Sequence, residues 1–527
     1  MNYSNLNGTK AFKALAKLTP FDVKSKLTAS RISHAAISAG GGLTYNYGAM
    51  PIDDSHIETF VELAQEQQLI EKYTALISGE IMNIGEQRLV LHHLTRGKLL
   101  GNHQLIYADG EEKGAFYHEQ LARIEAFSAA VRNGKIKGST GKNITKVVQI
   151  GIGGSDLGPR ALYLALKGYC VELSTDILEA RFISNVDPDD PTEILEDLDF
   201  ESTLFIIVSK SGTTQETLTN QEFVIKAMNA KQIKGLVAAK HIVAVTSKTS
   251  PLASSSNVLD AFFIDDYIGG RYSSTSAVGG VVLSLAYGFD IFKRFLAGAH
   301  DADLHALQPD VLNNAAMMDA LIGVYLRNVL HLPSTAVLPY SQALSRFPAH
   351  LQQLDMESNG KQVNRFGKPV DYGTGPVIFG EPGTNGQHSF YQLLHQGTDT
   401  IPLQFIGFIK SQRLNDVETD GSTSQKKLVA NLIAQIVAFA CGRDHENANK
   451  RFLGNRYSSL LWANRLEPET LGALLAHYEN KVMFQGFLWN LNSFDQEGVQ
   501  LGKVLANKVL AGGESDEALK AFIRMLS

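Results

Sequence analysis

Thr203-Leu204-Phe205-Ile206-Ile207-Val208-Ser209-Lys210-Ser211-Gly212-Thr213-Thr214-Gln215-Glu216-Thr217 is the stretch on which the fold turns. Leu204 to Val208 are apolar at consecutive positions, the pattern of a strand buried on both faces rather than on one. A helix-length segment follows. The same alternation recurs on either side, with β-rich runs at Lys146 to Ile150, Arg181 to Val186, His241 to Thr246 and Ala261 to Ile264. Strands alternating with helices imply right-handed crossovers and a doubly wound α/β sheet.

A second series comprises Thr335 to Leu338, Pro376 to Phe379 and Leu403 to Ile409, with helices over Ala315 to Leu330, from Pro348 to Glu357 and over Leu428 to Ala440. Two α/β domains are therefore expected. The first runs from about Gly114 to Tyr287, and the mostly helical residues before it return to join the second. The boundaries that follow are 114–287 for a small domain, 1–113 plus 288–495 for a discontinuous large one, and 496–527 for a C-terminal helical segment. Gly134 to Lys146 reads as a surface loop.

Composition bounds the partners. The chain has 527 residues, room for roughly two to four units at ~150 residues each, with 44% hydrophobic and 19% charged residues. Lys and Arg number 48 against 54 Asp and Glu, a net charge of -6, and there is no basic block. Sequence-independent attraction to nucleic acid is thus not expected, and a phosphorylated partner must be held locally. The two cysteines, Cys170 and Cys441, stand in no paired ligand spacing, which argues against a disulfide framework or zinc cage and for a reducing, cytoplasmic setting. Met1 to Pro20 lacks the apolar centre of a secretory signal. Leu428 to Gly442 is charge-free but shorter than the ~20 residues of a membrane span, so it reads as a buried helix and no membrane contact is expected.

Two strand-to-helix turns suit a phosphate. After Ile150 comes Gly151-Ile152-Gly153-Gly154-Ser155-Asp156-Leu157-Gly158-Pro159, where glycines admit close backbone approach and the following helix offers N–H groups. Asp156 stands where G-x-G-x-x-G needs its third glycine, which speaks against a dinucleotide site. A turn that merely packs helix on strand remains an open reading. The second turn gathers Ser209, Lys210, Ser211, Gly212, Thr213 and Thr214 at a helix start, a set that suits a phosphomonoester. It is not a Walker A loop. The alternative is that Thr213 or Thr214 only caps the helix.

Three further stretches carry ionisable groups. In Asp266 to Ser276, Gly269 and Gly270 allow Arg271 into a crowded site, where a permanent cation would stabilise an oxyanion; a loop arginine pairing with a carboxylate is equally open. Pro348 begins a helix ending at Asn359-Gly360. Gln353 and Glu357 share one face at its last turn, where the helix dipole disfavours a carboxylate charge and pushes the group towards general-base strength. On its own Glu357 reads as a solvated residue. His388 stands in the Gly-rich loop Phe379 to Ser389, and Gln496 and Lys503 lie at the start of an amphipathic helix.

In order along the chain, Ile150 to Pro159, Ser209 to Thr217, Gly269 to Gly279, Gln352 to Lys361, Gly380 to Thr398 and Phe494 to Lys503 resemble the motifs of the phosphoglucose isomerase family, with long identities such as Leu354-Asp355-Met356-Glu357-Ser358-Asn359-Gly360-Lys361. The resemblance implies two flavodoxin-like sugar-isomerase (SIS) domains with mainly parallel sheets and extra helices. It implies an aldose-ketose isomerase that interconverts glucose 6-phosphate and fructose 6-phosphate with neither metal nor cofactor. The residues matching Ser209, Lys210, Ser211 and Thr214 would hold phosphate, with Thr213 in the same turn and Gly154-Ser155 assisting. The matches to His388 and Lys503 would open the sugar ring. Glu357 would carry a proton between C2 and C1 through a cis-enediolate stabilised by Arg271, and Gln353 and Gln496 would line the sugar. The family is dimeric, with the match to His388 supplied by the neighbouring subunit. Glu497 stands where relatives commonly have Trp, and Gln500 where Glu is common.

Two other functions compete. A non-catalytic sugar-phosphate sensor would need only Ser209 to Thr214, and the joint presence of Glu357, His388 and Lys503 argues against it. A nicotinamide-dependent oxidoreductase rests only on the glycines after Ile150.

Overall fold

The computed structural model describes residues 1–101, 103–173, 176–512 and 516–526. The chain opens with helices and then an antiparallel hairpin, β1 (Ala36–Gly40) and β2 (Leu43–Ala49). Next come β3 (Lys146–Ile150), β4 (Glu179–Ile183), β5 (Thr203–Val208), β6 (Ile242–Thr246) and β7 (Asp260–Phe263), which form one five-stranded sheet in the order β4-β3-β5-β6-β7. Every pairing in it is parallel. This 2-1-3-4-5 order is the flavodoxin-like one, and its order reverses between β3 and β5. All residues of β5 are buried. Each of its large apolar side chains contributes roughly 1.5–3 kcal/mol of gross burial, which fixes the strand as the sheet's centre.

Four further strands, β8 (Ser334–Pro339), β9 (Val377–Phe379), β10 (Leu403–Phe408) and β11 (Ser458–Ala463), join the hairpin in a six-stranded sheet of order β1-β2-β11-β10-β8-β9. β9, β8, β10 and β11 are parallel, again in a 2-1-3-4 order, and β11 pairs antiparallel with β2. The N-terminal residues expected to be mostly helical thus supply an antiparallel edge. Gly40, Gly41 and Gly42 all take positive φ at the turn between β1 and β2, and Leu43, Tyr45 and Tyr47 alternate inward from it.

The helix Pro468–Leu488 is buried at every position except Glu469. Its buried ionisable side chains His477, Glu479 and Lys481 are paired inside the protein: Glu479 meets Arg96, which also pairs with Asp303 at 3.0 Å, and His477 and Lys481 reach Asp319 at 3.1 and 3.3 Å. Pairing offsets the desolvation cost of such charges. The helix Ser424–Cys441 corrects an expectation: of its residues only Leu432, Phe439 and Ala440 are buried. Ile433 is 56% and Val437 45% exposed, because one face packs on the sheet and, among the described residues, nothing covers the other. Among the described residues no helix is long and apolar enough to cross a membrane.

Candidate active site

Ligands of open α/β sheets bind beyond the carboxyl ends of the strands where strand order reverses. In the five-stranded sheet the two turns at that point are those after β3 and β5. After β5, Ser209 Oγ and Thr214 Oγ1 lie 3.0 Å apart, and the Gly212 N–H donates to Ser209 Oγ at 3.1 Å. Gly212 has φ +68°, and a Cβ there would sit 2.1 Å from Ser250 Oγ, so no other residue closes this turn. Ser211 Oγ accepts from the N–H and hydroxyl of Thr213, at 3.2 and 2.9 Å. Thr214 takes the N-cap position of Gln215–Ala230 without a side-chain cap bond. The capping alternative therefore fails, and no N-cap side chain satisfies the first-turn N–H groups.

Lys210 ties this turn to the next element. Its ammonium donates to the Ile268 carbonyl at 3.3 Å and lies 3.8 Å from Asp266. Burial pulls its pKa below the ordinary lysine range, and Asp266 opposes that pull. The turn after β3 meets the same loop: a Cβ on Gly154 would fall 2.2 Å from the Gly270 carbonyl carbon, and one on Gly153 3.3 Å from Gln353 Nε2. One role of Gly154 is thus to let two backbones touch. Asp156 is buried and pairs with Arg160 at 2.8 Å.

Arg271 stands in the short 3-10 segment Gly270–Thr275, with a side chain only 1% exposed. Its Nε donates to Ser358 Oγ at 2.7 Å, and its Nη2 donates to the carbonyls of Ser493 and Asp495 at 2.6 and 2.9 Å. The remaining nitrogen, Nη1, lies 3.3 Å from Glu357 Oε2. That oxygen has no hydrogen-bond partner although it is buried, and the same holds for Gln353 Oε1. A buried carboxylate oxygen and amide oxygen left open on one helix face are acceptors waiting for a ligand.

The helix carrying them changes character. Phe347–Leu351 is α-helical with Pro348 in its first turn, and Gln352–Glu357 is a π-helix. Such widened turns occur at functional sites because they re-aim side chains. Asp355 points the other way, into the interior near Lys481, where burial raises its pKa to about 7. Asn359 Nδ2 donates to the Val482 carbonyl at 2.9 Å and its Oδ1 accepts from Ser493 Oγ at 2.7 Å, anchoring the end of this helix to the buried Pro468–Leu488.

One chain thus brings together Ser209, Lys210, Ser211, Thr213, Thr214, Gly154, Ser155, Gln353, Arg271 and Glu357 through adjoining loops. The other three expected residues are exposed, although Gln496 directly follows Asp495, whose carbonyl accepts from Arg271. His388 ends the turn Asn385–His388, with no side-chain hydrogen bond or ion pair among the described residues. Gln496 and Lys503 are exposed as well, the latter on the helix Gln500–Leu510, none of whose residues is buried. Sequence reasoning assigned no part to Ser358, Tyr272 or the carbonyls of Ser493 and Asp495. Ser358 directly follows Glu357 in the motif, and its hydroxyl also bonds the Tyr272 hydroxyl at 3.0 Å.

Comparison with known proteins gives a consistent answer. The profile of a family described as phosphoglucose isomerase matches residues 46–523. A glucose-6-phosphate isomerase of Treponema denticola is 56% identical over all of both chains, and one of Borreliella afzelii is 46% identical over 100% of this chain and 99% of its own. A crystal structure of a glucose-6-phosphate isomerase from Chlamydia trachomatis superposes with a TM-score of 0.92 at 43% identity, covering 99% of each chain.

Proposed function

The chain belongs to the phosphoglucose isomerase family, and from that membership we propose how its residues divide the work of interconverting glucose 6-phosphate and fructose 6-phosphate. The hydroxyls of Ser209, Ser211, Thr213 and Thr214, the Lys210 ammonium and the turn at Gly154-Ser155 hold the phosphate. Gln353 and Gln496 line the sugar. His388 and Lys503 move a proton between the C1 hydroxyl and the ring oxygen, so that the ring opens. Glu357 then removes the C2 proton of the open aldose, leaving a cis-enediolate whose oxyanion faces Arg271, and returns the proton at C1 while the hydroxyl proton passes from O2 to O1, which gives the ketose. A positioned base typically supplies ~100-fold to 10,000-fold, and the orientation fixed by the distant phosphate and the charge held by Arg271 supply the rest.

The observation that carries this reading is the pair Arg271 and Glu357, 3.3 Å apart, with Glu357 Oε2 unbonded. A sugar-phosphate sensor has no use for that pair. The exposed position of His388 supports a homodimer in which the neighbour supplies that residue to each site. Exposed apolar groups at Ile433, Val437, Leu501 and Leu510 support the same arrangement, since such side chains seek a covering surface. The free thiols of Cys170 and Cys441 support a cytoplasmic location. We place the domain boundaries at 1–113 plus 288–495, 114–287 and 496–527. The roles assigned require no metal. The purified chain should form glucose 6-phosphate from fructose 6-phosphate at the same rate with and without EDTA, and lack of that turnover removes the reading.

A further inference from the structure

The two sheets share more than their strand order. In the five-stranded sheet the strand beyond the order reversal is β5, which ends at Val208 and is followed by Ser209-Lys210-Ser211; in the six-stranded sheet it is β10, which ends at Phe408 and is followed by Ile409-Lys410-Ser411. Both strands have six residues, and each is trailed by lysine at the second position and serine at the third. The first of these turns holds the proposed phosphate cradle. The second opens on a cleft of about 510 Å3, within the range of small-molecule sites.

The walls of this cleft are one-sided in charge. Lys410 and Arg413 come from the loop after β10, and Lys167 from the helix Leu157–Leu173 opposite; no Asp or Glu lines it. Ser341, Ser345 and Ser411 line the same space, the Ser411 hydroxyl donating to the Arg413 carbonyl at 2.6 Å. Among the described residues none of the three cations pairs with a carboxylate, although acids outnumber bases along the chain. Unpaired cations gathered in a concave site raise the local concentration of anions. The loop is held in place: Gln412 Nε2 donates to the Ala165 and Leu466 carbonyls at 2.6 and 3.0 Å. A Cβ on Gly168 would lie 2.5 Å from Gln412 Oε1, so the loop and the opposite helix are in close contact.

We propose that this cleft is a second anion site, built at the order reversal of the six-stranded sheet and separate from the substrate's, that binds a small phosphate-bearing polyanion. Lys410 and Arg413 grip the phosphates from one wall and Lys167 from the other, with the serine hydroxyls completing the cage. Because Lys167 belongs to the crossover helix of the five-stranded sheet, an anion seated here ties that helix to the loop after β10.

Inorganic pyrophosphate is the probe. Titrated by calorimetry into the full-length Lys210→Ala/Ser211→Ala variant, whose substrate cradle is disabled, it should still bind. Adding Lys410→Gln and Arg413→Gln to that background should weaken binding at least tenfold, and Lys167→Gln should weaken it by a smaller factor. Lys410→Gln/Arg413→Gln in the otherwise unchanged chain should keep isomerase turnover, showing that it folds. Heat that disappears with the Lys210→Ala/Ser211→Ala change alone, or an affinity indifferent to Lys410 and Arg413, overturns the proposal.

Discussion

Arg271 Nη1 lies 3.3 Å from Glu357 Oε2 while the other nitrogens bonded in the structure are spoken for, Nε by Ser358 Oγ and Nη2 by the carbonyls of Ser493 and Asp495. The guanidinium is thereby fixed before any substrate arrives, and a fixed cation costs no reorganisation when charge develops beside it. The same geometry holds the cation beside the Glu357 carboxylate. Lysine cannot reproduce this fork. Arg271→Lys should lower kcat by about 100-fold to 1,000-fold with a much smaller change in KM, as steady-state kinetics with fructose 6-phosphate will report.

Ser358 acts through Arg271. Its hydroxyl accepts from Nε and bonds the Tyr272 hydroxyl, so Ser358→Ala leaves a buried charged donor without a partner. Bonds to charged groups contribute about 1.5–3 kcal/mol, which predicts a kcat loss of roughly tenfold or more at near-normal KM. A rise in KM with kcat intact would place Ser358 in substrate binding instead.

The cradle after β5 should behave differently. Lys210→Ala removes a cation whose target, the phosphate, is the same in ground and transition states. Loss of such uniform binding raises KM and spares kcat. The expected rise in KM is about tenfold to a hundredfold, larger at low ionic strength than at high.

The subunit question has a direct readout. Glu357→Gln and His388→Ala chains should each be poorly active, and dimers formed by mixing them contain one site with both groups intact. Refolding the two together should restore about a quarter of wild-type activity, because half the dimers are mixed and each has one whole site. If His388 served its own chain, mixing would restore nothing.

Asp355 gives a pH dependence of stability. Burial raises its pKa from the usual 3.8 to about 7, so between those values the unfolded chain releases a proton that the folded one keeps. The unfolded state then binds fewer protons, and this group makes stability fall as pH rises from about 4 to about 7 and level off above. Asp355→Asn removes the contribution. Its Tm relative to wild type should be higher at pH 8 than at pH 5 by at least about 2 °C, measured by calorimetry.

Much of this was legible in the sequence. Leu204 to Val208 told of a parallel, doubly covered strand because five consecutive apolar residues have no other use at that length. The Ser-Lys-Ser-Gly-Thr-Thr turn pointed to an anion because hydroxyls, a glycine and a cation gathered at a helix start suit a phosphate. The hairpin of β1 and β2 was missed although Gly40-Gly41-Gly42 and the alternation of Leu43, Tyr45 and Tyr47 signal it, since the surrounding helices dominated the reading. The exposed outer face of Ser424–Cys441 was not legible either: an apolar, charge-free helix reads the same whether its own chain or another surface covers it. The props of Arg271 escaped because two of them are backbone carbonyls, which carry no side-chain signature. The exposed groups, His388, Gln496 and Lys503, carry no signal of their own outside the ordered family motifs.

The central claim is that Glu357 carries hydrogen between C2 and C1. Fructose 6-phosphate incubated in D2O with wild-type chain should acquire deuterium at C1, and the glucose 6-phosphate formed from it at C2, as proton NMR will record. With Glu357→Gln, which preserves size and the neighbouring Arg271, the account predicts that the substrate still binds but that exchange drops by at least about 1,000-fold. Exchange at the wild-type rate in that variant would contradict it.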